Sequence, residues 1–332
     1  MHMDNFPSLS IITPTLNNGR DIGAFLEGIR NQDYPQDKIE ILIVDGGSTD
    51  DTLSFARKYR ATIYPNDRVL AEPGVDLGIQ KAKGDILMVL AVDNLYSNKG
   101  ALATLIKAFE NPKVYAALPK QDSGATDSMY TKYTNVFTDP FNHFVYGYAA
   151  NARTFHKIYT TLEHNDLYDV YDFSSQKIKP IIALAQGFSM RRGFVKRERN
   201  EMDDIQPILD LIGEGRQIAY VHSVSLYHHT IKDLRHFMRK QRWAARNALA
   251  GERYGINSRA NVLTPGQKVK ARLFPLYSLT IVIPCINSVY HWIKDGESLW
   301  LFHPFISFVS GVSIAYEYAK IKLGFRAVFS RN

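Results

Sequence analysis

The length, charge and cysteine content of the chain limit the kinds of protein to which it can belong. Its 332 residues allow one large catalytic domain with an appendage. A formal net charge of +7 suits a nucleotide diphosphate and an anionic membrane face as partners, and no nucleic-acid partner is expected. The single cysteine, Cys285, excludes an internal disulfide and a cysteine-based metal cluster, and it fits a protein that faces the cytosol.

Apolar strands and amphipathic helices alternate through the first third of the chain. Strands are predicted at residues 9–13, 41–45, 61–64 and 85–94. Helices are predicted between them, at residues 22–29, 53–59 and 76–83. Because the strands are continuously apolar and alternate with helices, the pattern predicts an α/β fold. Its sheet is expected to be mostly parallel, with helices on both faces.

The second predicted strand ends in Asp45, which is followed by two glycines and two hydroxyl residues. Ligands of open α/β sheets bind beyond the carboxyl ends of the strands. A carboxylate at this position is well placed to hold the ribose or the base of a nucleotide. The alternative is a simple strand-to-helix turn, in which Ser48 caps the next helix and Asp51 completes a capping box.

Four short motifs stand in order along this part of the chain: Pro14-Thr15-Leu16-Asn17, Asp45-Gly46-Gly47-Ser48-Thr49-Asp50, Ala82-Lys83-Gly84-Asp85 and the strand ending in Asp93. This order resembles that of the family 2 glycosyltransferases, which have the GT-A fold, use nucleotide sugars and usually invert the anomeric centre. Val75-Asp76 stands where that family commonly has Arg-Asn, so the donor site is expected to differ there. The resemblance implies that a UDP- or GDP-linked sugar contacts Pro14, Thr15, Leu16, Asn17, Asp45, Gly47, Asp76, Lys83 and Asp93.

Competing nucleotide folds lack their signatures here. A dinucleotide-binding dehydrogenase should show Gly-x-Gly-x-x-Gly after its first strand, where this chain has Pro-Thr-Leu-Asn-Asn-Gly. A phosphate-binding loop with Gly-Lys-Ser/Thr is absent from the sequence, as is the glycine-rich opening loop of a sugar-nucleotide pyrophosphorylase. A metal ion and basic side chains are therefore expected to hold the diphosphate.

Asp93 is the expected metal ligand. Mn²⁺ and Mg²⁺ prefer carboxylate and phosphate oxygens, and the resemblance places an Asp-x-Asp motif here, although Ala91 replaces its first acid. One alternative is that Asp93 caps a helix over residues 95–108. Another is a nucleotide-binding scaffold that has lost activity, for which Ala91 is the best evidence. His228 is the second expected ligand, because the resemblance implies a histidine here that faces the diphosphate or the metal, and a neutral imidazole can bind a metal. Of two adjacent histidines on a strand at most one can do so, and a structural histidine is the alternative.

The catalytic base is expected just before a predicted helix that ends near Gly215. An inverting transfer needs a carboxylate within hydrogen-bond distance of the acceptor hydroxyl. Asp203-Asp204 resembles the acidic pair of the family, with Asp204 in the position of the base and Asp203 as the second candidate. The alternative is that both acids only interact favourably with the helix dipole.

Basic residues later in the chain are expected to meet anionic groups. The stretch 185–192 resembles the acceptor side of related sites, which implicates Gly187, Arg191 and Arg192. A helix over residues 232–250 places four arginines on one face, because they are spaced by four, three and four residues. These are Arg235, Arg239, Arg242 and Arg246. With no acid between Asp233 and Glu252, the stripe suits a diphosphate or a lipid phosphate; a solvated basic face is the alternative.

The last part of the chain predicts membrane attachment. Residues 273–293 and 299–319 are mostly apolar and close to the length of a transmembrane helix. Trp292 and Trp300 flank the polar connection as candidate interfacial anchors, and both outer ends are basic, which favours the cytoplasmic side. A helical hairpin is therefore expected, either crossing the membrane or lying in its interface. A soluble helical subdomain is the alternative.

These observations predict a metal-dependent, inverting glycosyltransferase of the cell membrane, with its catalytic domain on the cytoplasmic side. Its acceptor is expected to be a polyprenyl phosphate or a lipid-linked saccharide in cell-envelope glycan or glycoprotein biosynthesis. The predicted organisation is a catalytic domain at 1–255, divided into a nucleotide-binding half (1–120) and an acceptor half (121–255). A membrane-associated helical region at 256–332 follows.

Overall fold

The computed structural model describes residues 6–185, 187–194, 205–250 and 261–323. In this part of the chain ten strands form one sheet. They are β1 (Leu9–Thr15), β2 (Ile39–Asp45), β3 (Thr62–Pro65), β4 (Ile86–Val89), β5 (Asn94–Tyr96), β6 (Val114–Asp122), β7 (Glu163–His164), β8 (Asp169–Tyr171), β9 (Ser189–Arg191) and β10 (Gln217–His228).

Twelve α-helices surround or follow the sheet within the same ranges. They are α1 (Ile22–Arg30), α2 (Thr52–Lys58), α3 (Ala71–Lys81), α4 (Ala101–Ile106), α5 (Met129–Phe137), α6 (Pro140–Tyr146), α7 (Ile181–Leu184), α8 (Gln206–Gly213), α9 (Leu234–Ala250), α10 (Pro265–Leu279), α11 (Val282–Asp295) and α12 (His303–Lys322).

The strand order is β3-β2-β1-β4-β9-β6-β10-β8-β7, and β5 pairs with β10 beside this path. Strands β1 to β4 are mutually parallel, and β6 is parallel to β10. Strand β9 is antiparallel to both β4 and β6. The prediction of a mostly parallel sheet in an α/β fold is confirmed.

Successive side chains of the central strands enter two different apolar layers. In β1, Leu9 and Ile11 pack on one face of the sheet, while Ile12 packs on the other. In β2, Ile43 and Val44 divide in the same way. Each fully buried aliphatic side chain contributes roughly 1.5–3 kcal/mol. This burial on both faces explains why the strands read as continuous apolar runs.

The parallel strands end at one edge of the sheet, here called the carboxyl edge. It is defined by Thr15 of β1, Asp45 of β2, Asp122 of β6 and His228 of β10. The opposite edge, here called the amino edge, holds the first residues of β1, β2, β4 and β6. Because β9 runs the other way, it begins at the carboxyl edge, and its last residue, Arg191, lies opposite Ile86 at the amino edge.

The expected C-terminal hairpin of two long helices is only partly correct. In the described residues one helix, Ser298–Lys322, is long and apolar enough to cross a membrane. The earlier apolar stretch is broken into α10 and α11, which are bent by 101° and count as a second span only if taken together. The break has a local cause, because Pro284 cannot continue a helix past the carbonyl of Thr280. Ile281 adopts a φ of +58° in the turn.

The C-terminal helices pack against the rest of the protein through aromatic residues. Trp300 is buried with Phe137 of α5 and Phe237 of α9 in one cluster. Trp300 is therefore not the interfacial anchor that was expected, whereas Trp292 is exposed. The predicted boundary at residue 255 lies outside the described residues, and the domain division stays a prediction.

Helix α12 buries its polar side and exposes its apolar side. Its buried residues include Ser307, Ser310, Ser313 and Glu317. Its exposed residues include Phe305, Phe308, Val312, Tyr316 and Tyr318. This distribution is the reverse of that in a helix on the surface of a water-soluble protein.

Candidate functional site

Asp45 is held by the loop that follows it. Its Oδ2 accepts hydrogen bonds from the backbone N–H groups of Gly47 and Ser48 at 2.9 and 2.8 Å. Its Oδ1 accepts from the hydroxyls of Thr15 at 3.1 Å and Ser48 at 2.5 Å. These four bonds match the accepting capacity of a carboxylate. The carboxylate therefore shapes the loop, and a direct bond to a nucleoside requires that one of them be exchanged.

The alternative assignment of this turn as a capping box is wrong. The Ser48 hydroxyl bonds to Asp45, and α2 begins later, at Thr52. The preceding residue, Asp51, makes no side-chain capping bond. The sequence 45–50 is thus built to present a loop at the carboxyl edge, and Gly47 takes the left-handed φ of +97° that this loop requires.

The loop after β1 is fastened to the loop after β2. The N–H of Asn17 donates to the Ser48 hydroxyl at 2.8 Å, and the Asn17 amide oxygen accepts from the N–H of Thr49 at 2.9 Å. Asn17 itself has a φ of +53°, a conformation that asparagine tolerates better than most residues. Leu16 is exposed beside it. These contacts form one continuous wall of the candidate site.

Helix α3 closes over the end of β1. A Cβ on Gly74 would lie 3.1 Å from the Cβ of Pro14, so the helix backbone approaches the strand closely. Asp76 follows on the same helix and is buried, and its Oδ2 accepts a hydrogen bond from Gln80 at 2.8 Å. The structure therefore places Pro14 and Asp76 on two elements that meet at this end of the sheet.

Asp93 and His228 face each other at the carboxyl edge. Strand β5 places Asn94 opposite His228, and the His228 Nε2 lies 3.5 Å from the Asp93 Oδ2. Asp93 precedes a strand, and α4 starts only at Ala101, so its assignment as a helix cap is wrong. His229 points away and contacts Asp127 at 2.8 Å.

The carboxylate of Asp93 is strongly biased toward its ionised form. Burial opposes ionisation, but the hydrogen bond and charge of His228 and the charge of Lys240 outweigh it and lower the pKa of Asp93 to about 2. The side chain nevertheless keeps about a third of its surface exposed (34%). Asp93 is thus an ionised carboxylate that a ligand can reach.

Asp93 and His228 fit a divalent metal ion. A carboxylate oxygen and an imidazole nitrogen are both suitable ligands for Mn²⁺. The Nε2 of His228 faces the Asp93 Oδ2 at 3.5 Å, so one ion could contact both atoms after a small adjustment. With only one acid in this pair, the phosphates of a substrate would have to complete the coordination, as is common for Mg²⁺.

Lys240 brings a positive charge to the same site. Its ammonium donates hydrogen bonds to the hydroxyl and, at 3.4 Å, to the carbonyl of Thr230, just beyond β10. Burial of the ammonium lowers the pKa of Lys240, and the charge of Asp93 opposes this shift. Lys240 as a whole residue is nevertheless exposed. Lys240 was not among the expected site residues, although it lies between two that were, Arg239 and Arg242.

Asp122 is a second acid that the sequence did not reveal. Its carboxylate accepts a hydrogen bond from Ser225 at 2.9 Å and pairs with Arg153 at 3.1 Å and Lys120 at 3.2 Å. Burial opposes ionisation, but Ser225 and Arg153 outweigh it and lower the pKa of Asp122. The signal that could have found it is an acid at the end of a buried strand, as for Asp45.

Three of the expected site residues lie elsewhere, at the amino edge. The N–H of Lys83 donates to the Ser10 hydroxyl at 3.2 Å, near the start of β1. The Arg191 guanidinium donates to the carbonyls of Val114 at 2.9 Å and Phe109 at 2.6 Å. The N–H of Arg192 donates to the carbonyl of Asp85 at 2.9 Å. The structure does not bring these residues to the carboxyl edge, because Lys83 precedes its strand and β9 runs antiparallel.

Gly187 does lie at the carboxyl edge. It precedes β9, and the carbonyl of the next residue, Phe188, accepts a bond from Val89 at 3.0 Å. Its φ is +67°, and a Cβ there would lie 2.7 Å from Leu226. The position therefore requires glycine.

The arginine stripe on α9 is divided between two environments. Arg235 and Arg239 are exposed. Arg242 stacks on Tyr316 at 4.4 Å, and Arg246 pairs with the buried Glu317 at 3.2 Å. The expectation of an uncompensated stripe is wrong for Arg246, because its acidic partner comes from the distant helix α12.

The expected catalytic acids, Asp203 and Asp204, lie outside the described residues. The helix expected after them is present as α8, and Gly215 follows it with a φ of +66°. Their assignment stays a prediction.

The mixed sheet and its acidic carboxyl edge define a protein with the GT-A fold of nucleotide-sugar transferases. The family model for glycosyl transferase family 2 matches residues 10–175, and the chain belongs to this family. The mannosyltransferase PcManGT of Pyrobaculum calidifontis, solved with GDP-Man and Mn²⁺, has a similar fold. The TM-score is 0.54 at 16% identity, over 95% of this chain and 89% of that one.

Two curated relatives are archaeal. The dolichyl N-acetyl-alpha-D-glucosaminyl phosphate 3-beta-D-2,3-diacetamido-2,3-dideoxy-beta-D-glucuronosyltransferase of Methanococcus voltae is 33% identical over 112 residues, which cover 32% of this chain and 35% of that protein. Glycosyltransferase AglE of Haloferax volcanii is 27% identical over 179 residues, which cover 42% of this chain and 58% of that protein. The chain thus matches about a third of the length of the Methanococcus voltae relative and somewhat over half of the length of AglE.

Proposed function

We propose that this protein is an inverting glycosyltransferase that moves a sugar from a UDP- or GDP-linked donor to a membrane-linked acceptor. The observation that carries the proposal is the Asp93–His228 pair at the carboxyl edge, within a chain of family 2. The Methanococcus voltae relative is named for a dolichyl N-acetyl-alpha-D-glucosaminyl phosphate, which supports a lipid-linked acceptor.

The donor is proposed to lie along the wall formed by the loops after β1 and β2. Its nucleoside would contact Pro14, Leu16 and Asp76, with Asp45 and Asn17 holding the loops in place. Its diphosphate would lie at Asp93, His228 and Lys240. Mn²⁺ or Mg²⁺ bound at Asp93 and His228 would neutralise charge on the diphosphate. Lys240 would add a charge-assisted hydrogen bond.

The transfer step is proposed to need one base. Asp204 would take the proton from the acceptor hydroxyl as that oxygen attacks the anomeric carbon, and Asp203 is the second candidate. The new glycosidic bond would form as the bond from the anomeric carbon to the diphosphate breaks, and the nucleotide diphosphate would leave with the electron pair. Gly187 and the exposed Arg239 would lie on the acceptor side.

Membrane attachment is proposed for the C-terminal helices. Helix α12 buries serines and a paired glutamate, Glu317, and exposes aromatic and aliphatic residues. Helix interfaces in membranes favour small polar residues in this way, and a large exposed apolar patch marks a membrane or partner surface. The basic residues Lys268, Lys270, Lys320 and Lys322 near the ends of this region favour a catalytic domain on the cytoplasmic side.

The test is the release of nucleotide diphosphate from a panel of nucleotide sugars by the detergent-solubilised chain. The reaction would contain Mn²⁺ and either polyprenyl phosphate or a polyprenyl-diphosphate-linked saccharide. We expect release from one donor, lost on chelation of the metal and in Asp204→Asn. The control is Glu214→Gln, an exposed acid just after α8, which should retain activity.

Two other outcomes would contradict parts of the proposal. Undiminished release in Asp204→Asn would exclude that residue as the base. Tight nucleotide binding without release on any acceptor would favour the scaffold alternative, for which the missing acid at Ala91 is the evidence.

A further inference from the structure

A groove of about 480 Å³ lies between α6, α10 and α11. This volume falls within the roughly 300–1,000 Å³ typical of small-molecule sites. Its inner wall carries the polar groups of Tyr277, Asn287 and His303. Leu276 and Ile283 line it while remaining 64% and 50% exposed. The groove is therefore lined mostly by apolar side chains, which include Phe144 and Leu273, with a few polar groups among them.

The mouth of the groove lies within a wider apolar surface. On the same two helices Leu279, Ile286 and Ile293 are exposed. Lys270, also exposed, supplies a positive charge to the lining. Apolar side chains beside one cation fit a lipid that has a hydrocarbon chain and a phosphate.

The bend between α10 and α11 shapes the groove. The two helices meet at 101°, and Ile281 in the turn has a φ of +58°. A β-branched residue in this conformation is a true outlier, and such strain persists only where the surrounding structure imposes it. If this stretch formed a single straight helix, there would be no concave space between α10 and α11.

The groove and the candidate donor site lie on opposite sides of α5. The Tyr133 hydroxyl contacts the Nδ1 of His303, in the groove wall, at 2.5 Å. Two residues later, Asn135 donates to the carbonyl of His228 at 3.0 Å. Side chains two positions apart point to different sides of a helix. A helix with its side chains is about 10–12 Å across, so the two sites are separated by at least the width of α5.

We propose that this groove binds the lipid part of the acceptor, with the hydrocarbon chain over Leu276 and Ile283 and a phosphate at Lys270. Because α5 separates the two sites, a phosphate at Lys270 lies away from the donor, and a saccharide linked to it would have to extend around α5 to be the group that receives the sugar. The inference rests on the proposed function and narrows its acceptor to a lipid-phosphate-linked saccharide rather than a bare lipid phosphate.

The test uses the full chain in detergent with farnesyl phosphate that carries a photoreactive diazirine on its last isoprene unit. No donor is added, so labelling does not depend on transfer. We expect cross-links in the peptides that span residues 270–291. Leu276→Trp, which fills the groove, should reduce labelling about tenfold, the effect of losing one or two buried methylene contacts.

The matched control is Ile286→Trp, which changes a residue 67% exposed on the same apolar surface but outside the groove lining. It should leave the labelling unchanged. Equal loss in both variants, or no loss in Leu276→Trp, would overturn the groove as the binding site, because the chain would then lie on the general apolar surface.

A second arm tests the phosphate. Lys270→Gln should weaken competition by unlabelled farnesyl phosphate and leave competition by farnesol unchanged. Inorganic phosphate alone should not compete. If the substitution weakened competition by both lipids equally, the place of the phosphate at Lys270 would be wrong. If inorganic phosphate alone competed, the groove would bind an anion rather than the hydrocarbon chain, which would overturn the lipid site.

The narrowing of the acceptor is tested by turnover. We expect nucleotide diphosphate to be released faster with a lipid-phosphate-linked saccharide than with polyprenyl phosphate. Faster release with polyprenyl phosphate would overturn the choice of a saccharide acceptor. Labelling of the groove without release on any acceptor would instead contradict the proposed function while supporting the groove.

Discussion

The two edges of the sheet carry the same kinds of residue and use them differently. At the amino edge the guanidinium of Arg191 is bonded to backbone carbonyls, and Asp85 accepts two bonds from Ser8, at 3.0 Å from the N–H and 2.6 Å from the hydroxyl. At the carboxyl edge Asp93 is ionised and partly exposed, and the Nδ1 of the neighbouring His228 has no partner in the described chain.

This comparison shows what distinguishes a site from a structural cluster in this molecule. Charge alone does not, because arginine, lysine and aspartate occur at both edges. The polar groups named at the amino edge fasten loops, whereas the carboxyl edge also keeps the carboxylate of Asp93 partly exposed to a ligand. An ionised and partly exposed carboxylate at the end where parallel strands converge is therefore the more informative signal.

The largest expected effect follows from removing the charge of Asp93. In Asp93→Asn we expect kcat to fall about 10²–10³-fold, as when one group that stabilises transition-state charge is lost. Nucleotide release with Mn²⁺ measures it. The control is Asp127→Asn, which breaks the adjacent His229–Asp127 contact of 2.8 Å and should retain most activity. Equal losses of kcat in Asp93→Asn and Asp127→Asn would show that the Asp93–His228 pair has no special role in transfer.

The next effect compares one lysine from each edge. Lys240→Ala should raise the KM for the nucleotide sugar about 10–100-fold, since a hydrogen bond to a charged group contributes roughly 1.5–3 kcal/mol. Lys83→Ala should leave KM unchanged, because the contact made by that residue to Ser10 comes from its backbone N–H. Steady-state kinetics decide. A rise in KM with Lys83→Ala would show that Lys83 contacts the nucleotide sugar after all.

A stability effect is expected at the amino edge. In Arg191→Ala the backbone carbonyls of Phe109 and Val114 lose the hydrogen bonds that the guanidinium donates. This loss should lower the free energy of unfolding by about 1–3 kcal/mol. The kcat of the folded protein should not change. Thermal or urea unfolding measures the first quantity and nucleotide release the second. A large loss of kcat with normal stability would show that Arg191 acts at the site.

The smallest effect concerns the acid limb of stability. Because the pKa of Asp122 is lowered in the folded state, its contribution is present above the unfolded pKa of about 3.9. It is lost as the pH falls through the lower folded pKa. Asp122→Asn should therefore flatten the loss of stability below about pH 4 relative to the wild type. Urea unfolding at several pH values measures it, and an unchanged profile would show that Asp122 is not stabilised by Ser225 and Arg153.

The fold could be predicted from local patterns, and much of the site could not. Continuous apolar strands alternating with helices indicate a parallel sheet, and the acid at Asp45 marks a strand end directly. Lys83 precedes a strand of the parallel sheet, so its place at the amino edge follows from the pattern, and the motif comparison alone put it in the donor site. The position of Arg191 depends instead on the reversed direction of β9, which a residue pattern does not encode.

The C-terminal region shows the same limit. Hydropathy alone predicted two membrane spans, but Pro284 breaks the first one. Trp300 packs against aromatic residues of α5 and α9. The pairing of Arg246 with Glu317 joins residues far apart in sequence. Such long-range contacts depend on tertiary packing, which composition and spacing do not specify.

The most direct test of the carboxyl edge as the donor site is the binding of UDP and GDP to the full chain by calorimetry. It should be done with Mn²⁺ and with a chelator, for the wild type and Asp93→Asn. We expect one nucleotide to bind in Mn²⁺, with an affinity about 10–100-fold lower in the variant and lost in the chelator. Equal affinity in all of these conditions would contradict the placing of the diphosphate and its metal at Asp93 and His228.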